Sequence, residues 1–230
     1  MQEGSLNEPS EILPRLFLGS KISAENAETF QRCGISHVLN AAVEIPCFFS
    51  EGIAQSSSTP DENGKGPLTP KYLHLDLKDD PSDKVDIELF ERCNQFLDEV
   101  LNGSGPQSAP GVLVHCQAGI SRSAMLVIAY LMSRRSMSLR EAFFLVKEKR
   151  PNVGPNETFF SKLQEYEEHL LRQRGTLTAG EEYRSSFDRD DYLIDTLCAM
   201  GFSQETAKAS VKNSGGRFEL AVEFCLTHSK

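Results

Sequence analysis

The stretch that decides the fold is H-C-Q-A-G-I-S-R-S, residues 115–123. An apolar run at 112–114 precedes it, and the run at 124–132 that follows is typical of a helix. A strand, a short loop and a helix in this order aim backbone N–H groups and a helix N-terminus at an anion. The same surroundings stabilise a thiolate, and an arginine binds phosphate through two nitrogens. We therefore predict a phosphate-binding loop with Cys116 as nucleophile and Arg122 as phosphate ligand.

The composition combines enough apolar residues for a core with an excess of negative charge. The 230 residues are 39% hydrophobic and carry a formal net charge of −9. This length favours one domain with a small addition. The acidic balance argues against a nucleic-acid-binding surface and against binding to an anionic membrane. No apolar run approaches the roughly 18 residues that span a membrane, and the polar N-terminus lacks a signal-peptide pattern.

Six cysteines are scattered through the chain, and no pair has the C-x-x-C spacing typical of a zinc site. They are Cys33, Cys47, Cys93, Cys116, Cys198 and Cys225. We expect reduced thiols, no metal and no cofactor. Reduced thiols predict a cytoplasmic or nuclear location.

Strand and helix patterns alternate along the first three quarters of the chain, which predicts an α/β domain with a central sheet flanked by helices. Strands are predicted at 35–40, 72–77 and 111–115, after two short extended pieces within 12–19 that Pro14 separates. Helices are predicted at 21–33 and 86–101, after the Cys116 loop, after the capping box that begins at Ser138, and after the N-cap Asn156. Residues 44–70 have the composition of a surface loop.

The C-terminal part of the chain differs from this pattern. Residues 176–187 lack apolar periodicity and are predicted to be a linker. Three short helices are predicted at 190–200, 203–212 and 217–227, which together would form a small three-helix bundle. The predicted domains are therefore 1–175 for the α/β domain and 188–230 for the bundle.

The string H-C-x(5)-R-S, with the variant A-G-I-S-R-S-A and the following A-Y-L-M, resembles the dual-specificity phosphatases of the cysteine-dependent protein tyrosine phosphatase superfamily. The resemblance covers about residues 9–171. It implies a protein-tyrosine-phosphatase-like sheet and a phosphocysteine intermediate on Cys116, with Ser123 assisting departure from the thiolate. It also implies that His115 holds the loop and tunes the thiolate, and that no metal is needed. The implied phosphate-binding positions are Gln117, Ala118, Gly119, Ile120, Ser121 and Arg122.

The oxygen that leaves phosphorus needs a proton, which a carboxylic acid beside the cleft supplies. Three aspartates follow the predicted strand 72–77, namely Asp79, Asp80 and Asp83. In similar enzymes the acid lies just after this strand, which favours Asp79. Asp80 and Asp83 stay open as alternatives, since such a cluster is also typical of a solvated loop with helix-capping carboxylates.

The variable positions of the loop indicate the substrate class. Gln117, Ala118, Ile120 and Ser121 are all uncharged. Phosphoinositide phosphatases of the superfamily tend to have lysines in this loop, and its RNA 5′-triphosphatases favour more basic surroundings. The resemblance therefore implies a phosphoprotein substrate carrying phosphotyrosine, phosphoserine or phosphothreonine, with lipid and RNA substrates as alternatives. A catalytically silent adaptor would lack the cysteine, the arginine or the acid, and none is missing.

The tail resembles a ubiquitin-associated domain across about residues 188–228. Its distinctive feature is Met200-Gly201-Phe202 between the first two helices, where glycine permits a tight turn. Met200 and Phe202 are expected to form a small exposed apolar patch with Leu226. The resemblance implies that these three residues and Gly201 bind ubiquitin. One departure is Cys225-Leu226, which stands where an aliphatic pair often closes the third helix.

Overall fold

The computed structural model describes residues 7–53, 69–102, 110–185 and 187–228. The strands are β1 Ser10–Leu13, β2 Leu16–Gly19, β3 Ile35–Asn40, β4 Lys71–His74 and β5 Gly111–His115. The helices of the α/β part are α1 Lys21–Glu25, α2 Ala27–Arg32, α3 Ile87–Leu101, α4 Arg122–Arg134, α5 Leu139–Lys149 and α6 Glu157–Gln173. The tail contains α7 Arg189–Ala199, α8 Gln204–Ser214 and α9 Phe218–His228. The α/β class and the three-helix tail predicted from the sequence are confirmed.

The five strands form one sheet in the order β1-β2-β5-β3-β4. Only the β1–β2 pair is antiparallel among the described strands; β2, β5, β3 and β4 run parallel. The carboxyl ends of parallel strands meet at one edge of a sheet, which is where ligands of open α/β sheets bind. The segment after β4 and the loop after β5 therefore lie at the same edge.

Strand β5 and helix α4 are the centre of the core. All five residues of β5 are buried, as are the first eleven residues of α4. A parallel strand covered on both faces needs apolar side chains at successive positions, which explains the uninterrupted apolar run at 112–114. The loop between these two elements is held at both ends by rigid, buried structure.

Two predicted elements differ from the structure. The single helix predicted at 21–33 is two helices, because the Asn26 side chain accepts hydrogen bonds from the backbone N–H groups of Glu28 and Thr29 and starts a new helix. The strand predicted at 72–77 ends at His74, where its pairing with β3 ends. Residues 75–77 continue as an irregular segment with Leu75 and Leu77 buried.

The predicted helix starts at Ser138 and Asn156 are confirmed. Ser138 and Glu141 form a reciprocal capping box at α5, and Asn156 caps α6 by accepting a hydrogen bond from the Phe159 N–H at 2.9 Å. Such caps pair side chains with N–H groups that a helix leaves unsatisfied. They use residues only three positions apart, so they are readable from sequence.

In the described ranges, no helix has the length and apolar character needed to cross a membrane.

The three tail helices enclose a small core of their own. It is formed by Leu193, Leu197, Ala207, Val211, Ala221 and Cys225. Phe187, which precedes α7, is 1% exposed and belongs to the core of the α/β part. Tyr192 of α7 packs against the same core, so the tail is in side-chain contact with the α/β part, although the domain boundaries themselves stay a prediction.

Candidate active site

Cys116 lies directly after β5, and its thiol is almost completely buried. The Ser123 hydroxyl donates a hydrogen bond to Cys116 Sγ at 3.1 Å. Arg122 begins α4, so the loop 116–121 ends at the positive end of a helix dipole. The structure therefore brings the predicted nucleophile, phosphate ligand and assisting hydroxyl together around one short loop.

Arg150 holds the carbonyl side of this loop. The Arg150 Nε donates to the Gly119 carbonyl at 2.9 Å, and Nη2 donates to the Ala118 carbonyl at 3.2 Å. In a trans peptide the N–H points opposite to the C=O. The N–H groups of Gly119 and Ile120, which share these two peptide planes, therefore point away from Arg150. This orientation leaves them available for an anion.

Gly119 is required by its surroundings and by its backbone. Its φ is +69°, in the left-handed region that side chains disfavour. A Cβ at this position would lie 2.5 Å from the Gly19 carbonyl oxygen and 2.8 Å from Arg150 Nη2. The loop packs against the end of β2 too closely for any side chain here.

Arg122 is buried and bound by Glu44. Its Nη1 and Nη2 lie 2.8 and 2.7 Å from the two carboxylate oxygens of Glu44, and Nη1 also donates to the Leu77 carbonyl at 3.0 Å. The ion pair with Arg122 lowers the pKa of Glu44. Burial alone would lower the pKa of Arg122, but Glu44 and the neighbouring Cys116 and Asp79 outweigh it and raise that pKa. Arg122 is a permanent, oriented cation.

The Nε of Arg122 differs from the other guanidinium nitrogens. It is buried and has no hydrogen-bond partner within the described residues, and the nearest carboxylate oxygen, Oδ2 of Asp79, lies 3.8 Å away. Buried donors are normally paired. A buried, unpaired N–H at the end of the Cys116 loop therefore indicates a donor that a bound anion completes.

The structure places the three candidate acids in different surroundings. The Asp83 carboxylate accepts hydrogen bonds from the backbone N–H groups of residues 78, 79 and 80, so it organises the loop. The Asp80 carboxylate accepts from the Ser82 N–H at 2.8 Å and is fully exposed. Hydrogen bonds from Ser82 lower the pKa of Asp80. Neither carboxylate contacts the Cys116 loop through a hydrogen bond described here.

Asp79 lies against the loop. Its Oδ1 accepts hydrogen bonds from the Ser121 hydroxyl at 2.7 Å and from the Asn156 side-chain amide at 2.8 Å. Its φ of +65° is unusual for a residue with a side chain. The turn held by Asp83 thus directs the Asp79 carboxyl toward the loop, which makes it the best placed of the three candidates to exchange a proton there.

His115 is fully buried at the end of β5. Burial lowers its pKa to about 4. The imidazole is therefore neutral near pH 7, and any influence on the thiolate comes from its position and dipole, without a positive charge.

The sequence did not predict a functional role for three residues of the site. Glu44 is the first residue of the segment 44–70 that the sequence predicts to be a surface loop, and it lies 78 residues from Arg122. The sequence assigns no role to Arg150 and predicts Asn156 only as a helix cap. The cap was a readable signal, but the contacts of both residues with the loop depend on tertiary structure.

The predicted ubiquitin-binding residues lie on the tail. Met200 is 52% exposed and Leu226 is 68% exposed, whereas Phe202 packs partly against the small core. Gly201 has a φ of +99°, which explains the glycine in this turn. Cys225 is buried in the core of the tail, so the departure noted at 225–226 leaves Leu226 as the exposed member of the pair.

Comparison with known proteins agrees with this geometry. The family model described as dual specificity phosphatase, catalytic domain, matches residues 16–169. The chain belongs to the dual specificity phosphatase family. A second model, the UBA/TS-N domain, matches residues 192–224 of the same chain. The resemblance of the two parts that the sequence indicated is confirmed.

Relatives and solved structures match the phosphatase part. Human dual specificity protein phosphatase 2 is 38% identical over 164 residues, which are 71% of this chain and 45% of that protein. The MAP kinase phosphatase with leucine-rich repeats protein 3 of Dictyostelium discoideum is 40% identical over 163 residues, 71% of this chain and 16% of that protein. The crystal structure of human tyrosine phosphatase-like serine/threonine/tyrosine-interacting protein has 36% identity and a TM-score of 0.57, covering 72% of this chain and 99% of that one. The chain spans less than half the length of the first curated relatives.

Proposed function

We propose that the protein is a dual-specificity phosphatase that hydrolyses phosphotyrosine and phosphoserine or phosphothreonine in proteins. The observation that carries the proposal is the buried, unpaired Nε of Arg122 at the end of the Cys116 loop, with the carboxyl of Asp79 3.8 Å from that nitrogen and hydrogen-bonded to Ser121 of the loop. Arg122, Cys116 and Asp79 supply phosphate binding, a nucleophile and an acid. Each is held by further residues, so the site is organised before substrate arrives.

In the first step the Cys116 thiolate attacks phosphorus. A P–S bond forms while the bond from phosphorus to the ester oxygen breaks, and that oxygen takes the proton of the Asp79 carboxyl. The negative charge of the transition state is spread over three equatorial oxygens. The loop N–H groups and the Arg122 guanidinium stabilise this charge.

In the second step water hydrolyses the phosphocysteine. The water oxygen bonds to phosphorus, its proton passes to the Asp79 carboxylate, and the P–S bond breaks to return the thiolate. The Ser123 hydroxyl, 3.1 Å from Cys116 Sγ, donates a hydrogen bond to the departing sulfur. The acid and the thiolate are thereby restored for the next cycle.

The uncharged loop positions support a protein substrate. The side chains at 117, 118, 120 and 121 supply no cation for a second phosphate group. A phosphoinositide or an RNA 5′ end, which carries several negative charges, would gain little from this loop. A singly phosphorylated side chain needs only the phosphate cradle.

Turnover of an aryl phosphate tests the chemistry. We expect the wild-type chain to release phosphate, and Cys116→Ser to lose activity by at least about 10³-fold because the serine hydroxyl stays protonated at neutral pH and is a far poorer nucleophile than a thiolate. Cys33→Ser, which changes a thiol outside the site, is the matched control and should keep full activity. An inactive wild type whose loop still binds inorganic phosphate would instead indicate a silent phosphoprotein adaptor.

A second function is proposed for the tail, which we infer binds ubiquitin through Met200 and Leu226. The support is the UBA/TS-N match and the exposure of two large apolar side chains on a small domain. Titration of the full chain with ubiquitin should shift the NMR signals of both residues. Met200→Ala and Leu226→Ala should weaken the binding, whereas Ile22→Ala, which removes an exposed side chain of the phosphatase part, should not. Unshifted signals would exclude this surface.

The proposed location is the cytoplasm or the nucleus. It follows from the scattered cysteines, whose spacing suits reduced thiols. Fluorescent tagging of the full chain tests it.

A further inference from the structure

An aromatic cluster joins the tail to the phosphatase part. Phe187, which precedes α7, is 1% exposed. Its ring centroid lies 5.1 Å from that of Phe143 and 5.4 Å from those of Phe144 and Phe160. Tyr192 of α7 packs 5.9 Å from the same ring. Aromatic pairs at these separations stabilise a contact beyond the area that they bury. The contact is thus a packed junction between α5, α6 and the tail.

Two further contacts hold Phe187 at this junction. The guanidinium of Arg140 lies 5.6 Å from the centre of the Phe187 ring, within the range of a cation–π interaction. The carbonyl oxygen of Phe187 accepts a hydrogen bond from the Gln164 side-chain amide of α6 at 3.3 Å. Both the ring and the backbone of Phe187 therefore contact the phosphatase part.

Phe160 connects this junction to the start of α6. It lies in the first turn of that helix, and its N–H donates to the Asn156 carbonyl at 2.9 Å. The first turn of a helix lacks part of its internal hydrogen bonding and is prone to fraying. Packing of Phe187 against Phe160 restrains this turn, because a fraying turn would have to separate the two rings.

Asn156 connects the start of α6 to the candidate acid. Its side-chain amide donates to Asp79 Oδ1 at 2.8 Å, and its backbone N–H donates to the Ser121 hydroxyl at 3.3 Å. The Ser121 hydroxyl in turn donates to the same Oδ1 of Asp79 at 2.7 Å. The position of the Asp79 carboxyl thus depends on where α6 begins.

We propose that Phe187 is a positioning residue for the proposed reaction, acting through Phe160 and Asn156 on the carboxyl of Asp79. The inference rests on the proposed function and extends it. The segment that leads into the tail helps to position the catalytic acid, in addition to the ubiquitin binding proposed for the tail itself. The helix start that orients the acid is held by a side chain that directly precedes the tail helices.

The consequence concerns the proton that Asp79 gives to the leaving oxygen. A poorly acidic leaving group, such as the phenol of phenyl phosphate, needs that proton in the transition state, whereas the acidic 4-nitrophenol leaves with little help. Misplacing the acid therefore slows the first substrate more than the second. A general loss of folded protein would slow both equally.

The test compares kcat for phenyl phosphate and 4-nitrophenyl phosphate in the full chain. For Phe187→Ala we expect kcat for phenyl phosphate to fall about fivefold more than kcat for 4-nitrophenyl phosphate. Phe224→Ala is the matched control, since the ring contact of this α9 phenylalanine described here is with His228 of the same helix. Its ratio of the two rates should stay near that of the wild type.

Two further variants make the result decisive. Phe187→Leu keeps an apolar side chain at the junction, so its ratio of the two kcat values should lie close to that of the wild type. This variant should also remain folded if the alanine variant does not. In Phe187→Ala combined with Asn156→Ala, the ratio should equal that of Asn156→Ala alone, because both act through one contact. Amide hydrogen exchange at residues 157–160 should accelerate in Phe187→Ala.

The outcomes separate this inference from the proposed function. If the wild type turns over both substrates and Asn156→Ala changes the ratio, an unchanged ratio in folded Phe187→Ala overturns the role of Phe187. Additive effects in the double variant overturn it as well. A wild type inactive on both aryl phosphates refutes the proposed function, and the inference with it.

Discussion

Glu44 binds both terminal nitrogens of Arg122, at 2.7 and 2.8 Å, and leaves the buried Nε without a hydrogen-bond partner among the described residues. The carboxylate is half exposed while the guanidinium is buried. A guanidinium bound at two nitrogens is fixed in its plane. The orientation of the third nitrogen therefore depends on a residue far away in the chain.

Replacing Glu44 by Gln should reduce kcat/KM about tenfold, because a neutral amide holds the guanidinium less firmly than a carboxylate. Inhibition by inorganic phosphate should weaken by a similar factor. Steady-state kinetics measure both. Glu99→Gln is the control, since Glu99 pairs with Lys71 on the surface and such pairs contribute little. A Glu44→Gln enzyme with wild-type phosphate affinity would contradict the orienting role.

Asp79→Asn should lower kcat on phenyl phosphate by about 10²-fold or more, since an amide cannot donate the proton. It should also remove the dependence of kcat on the protonated acid in the pH–rate profile. Asp80→Asn should have a normal profile, because its carboxylate lies in solvent and bonds to Ser82. The opposite pattern in the two profiles would assign the acid to Asp80.

Gly119→Ala should abolish measurable turnover. The new Cβ would meet the Gly19 carbonyl oxygen at 2.5 Å, and a φ of +69° is strained for alanine, so the loop would have to move. We expect a loss of about 1–3 kcal/mol in the free energy of unfolding, measured with urea. Gly154→Ala is the control, because nothing lies within 4 Å of its Cβ position. An active Gly119→Ala enzyme would show that the loop tolerates a shift.

Stability should fall between pH 6.5 and pH 4 because of His115. Burial lowers its folded-state pKa from 6.5 to about 4, so in this window the unfolded chain binds a proton that the folded chain does not. The neutral, buried His115 makes its full contribution to the free energy of unfolding above pH 6.5. This contribution decreases by about 2 kcal/mol between pH 6.5 and pH 5. Urea unfolding at pH 7, 6 and 5 measures it.

The matched variants are His115→Gln and His228→Gln. In His115→Gln, the free energy of unfolding should fall by roughly 2 kcal/mol less between pH 7 and pH 5 than it does in the wild type. The second replaces an exposed histidine and should leave the slope as in the wild type. A slope that persists in His115→Gln would assign the pH dependence to other groups.

The local features of this protein were readable from its sequence. The strand, loop and helix around Cys116 follow one another within residues 111–134, so their geometry needs no distant partner. The caps at Ser138 and Asn156 bond residues three positions away. The helix break at Asn26 was missed because a capping side chain can start a new helix inside an otherwise regular pattern.

The resemblance favoured Asp79 as the acid, but residue type and spacing alone did not choose among the three aspartates. Asp79, Asp80 and Asp83 have the same chemistry and nearly the same position in the chain. Asp83 binds the N–H groups of the turn, and Asp79 thereby reaches Ser121, 42 residues away. Only the folded turn distinguishes the carboxylate that organises the turn, Asp83, from the one that contacts the Cys116 loop, Asp79.

The sequence by itself determined the phosphate loop, the α/β class and the three-helix tail, because each depends on residue types at short, regular spacings. Tertiary structure decided that Glu44 orients Arg122, that Asp79 faces the loop, and that Phe187 belongs to the core of the phosphatase part. Contacts of this kind join side chains that are distant in the chain. Periodicity carries no information about them, since they form only when the sheet and its helices bring those residues together.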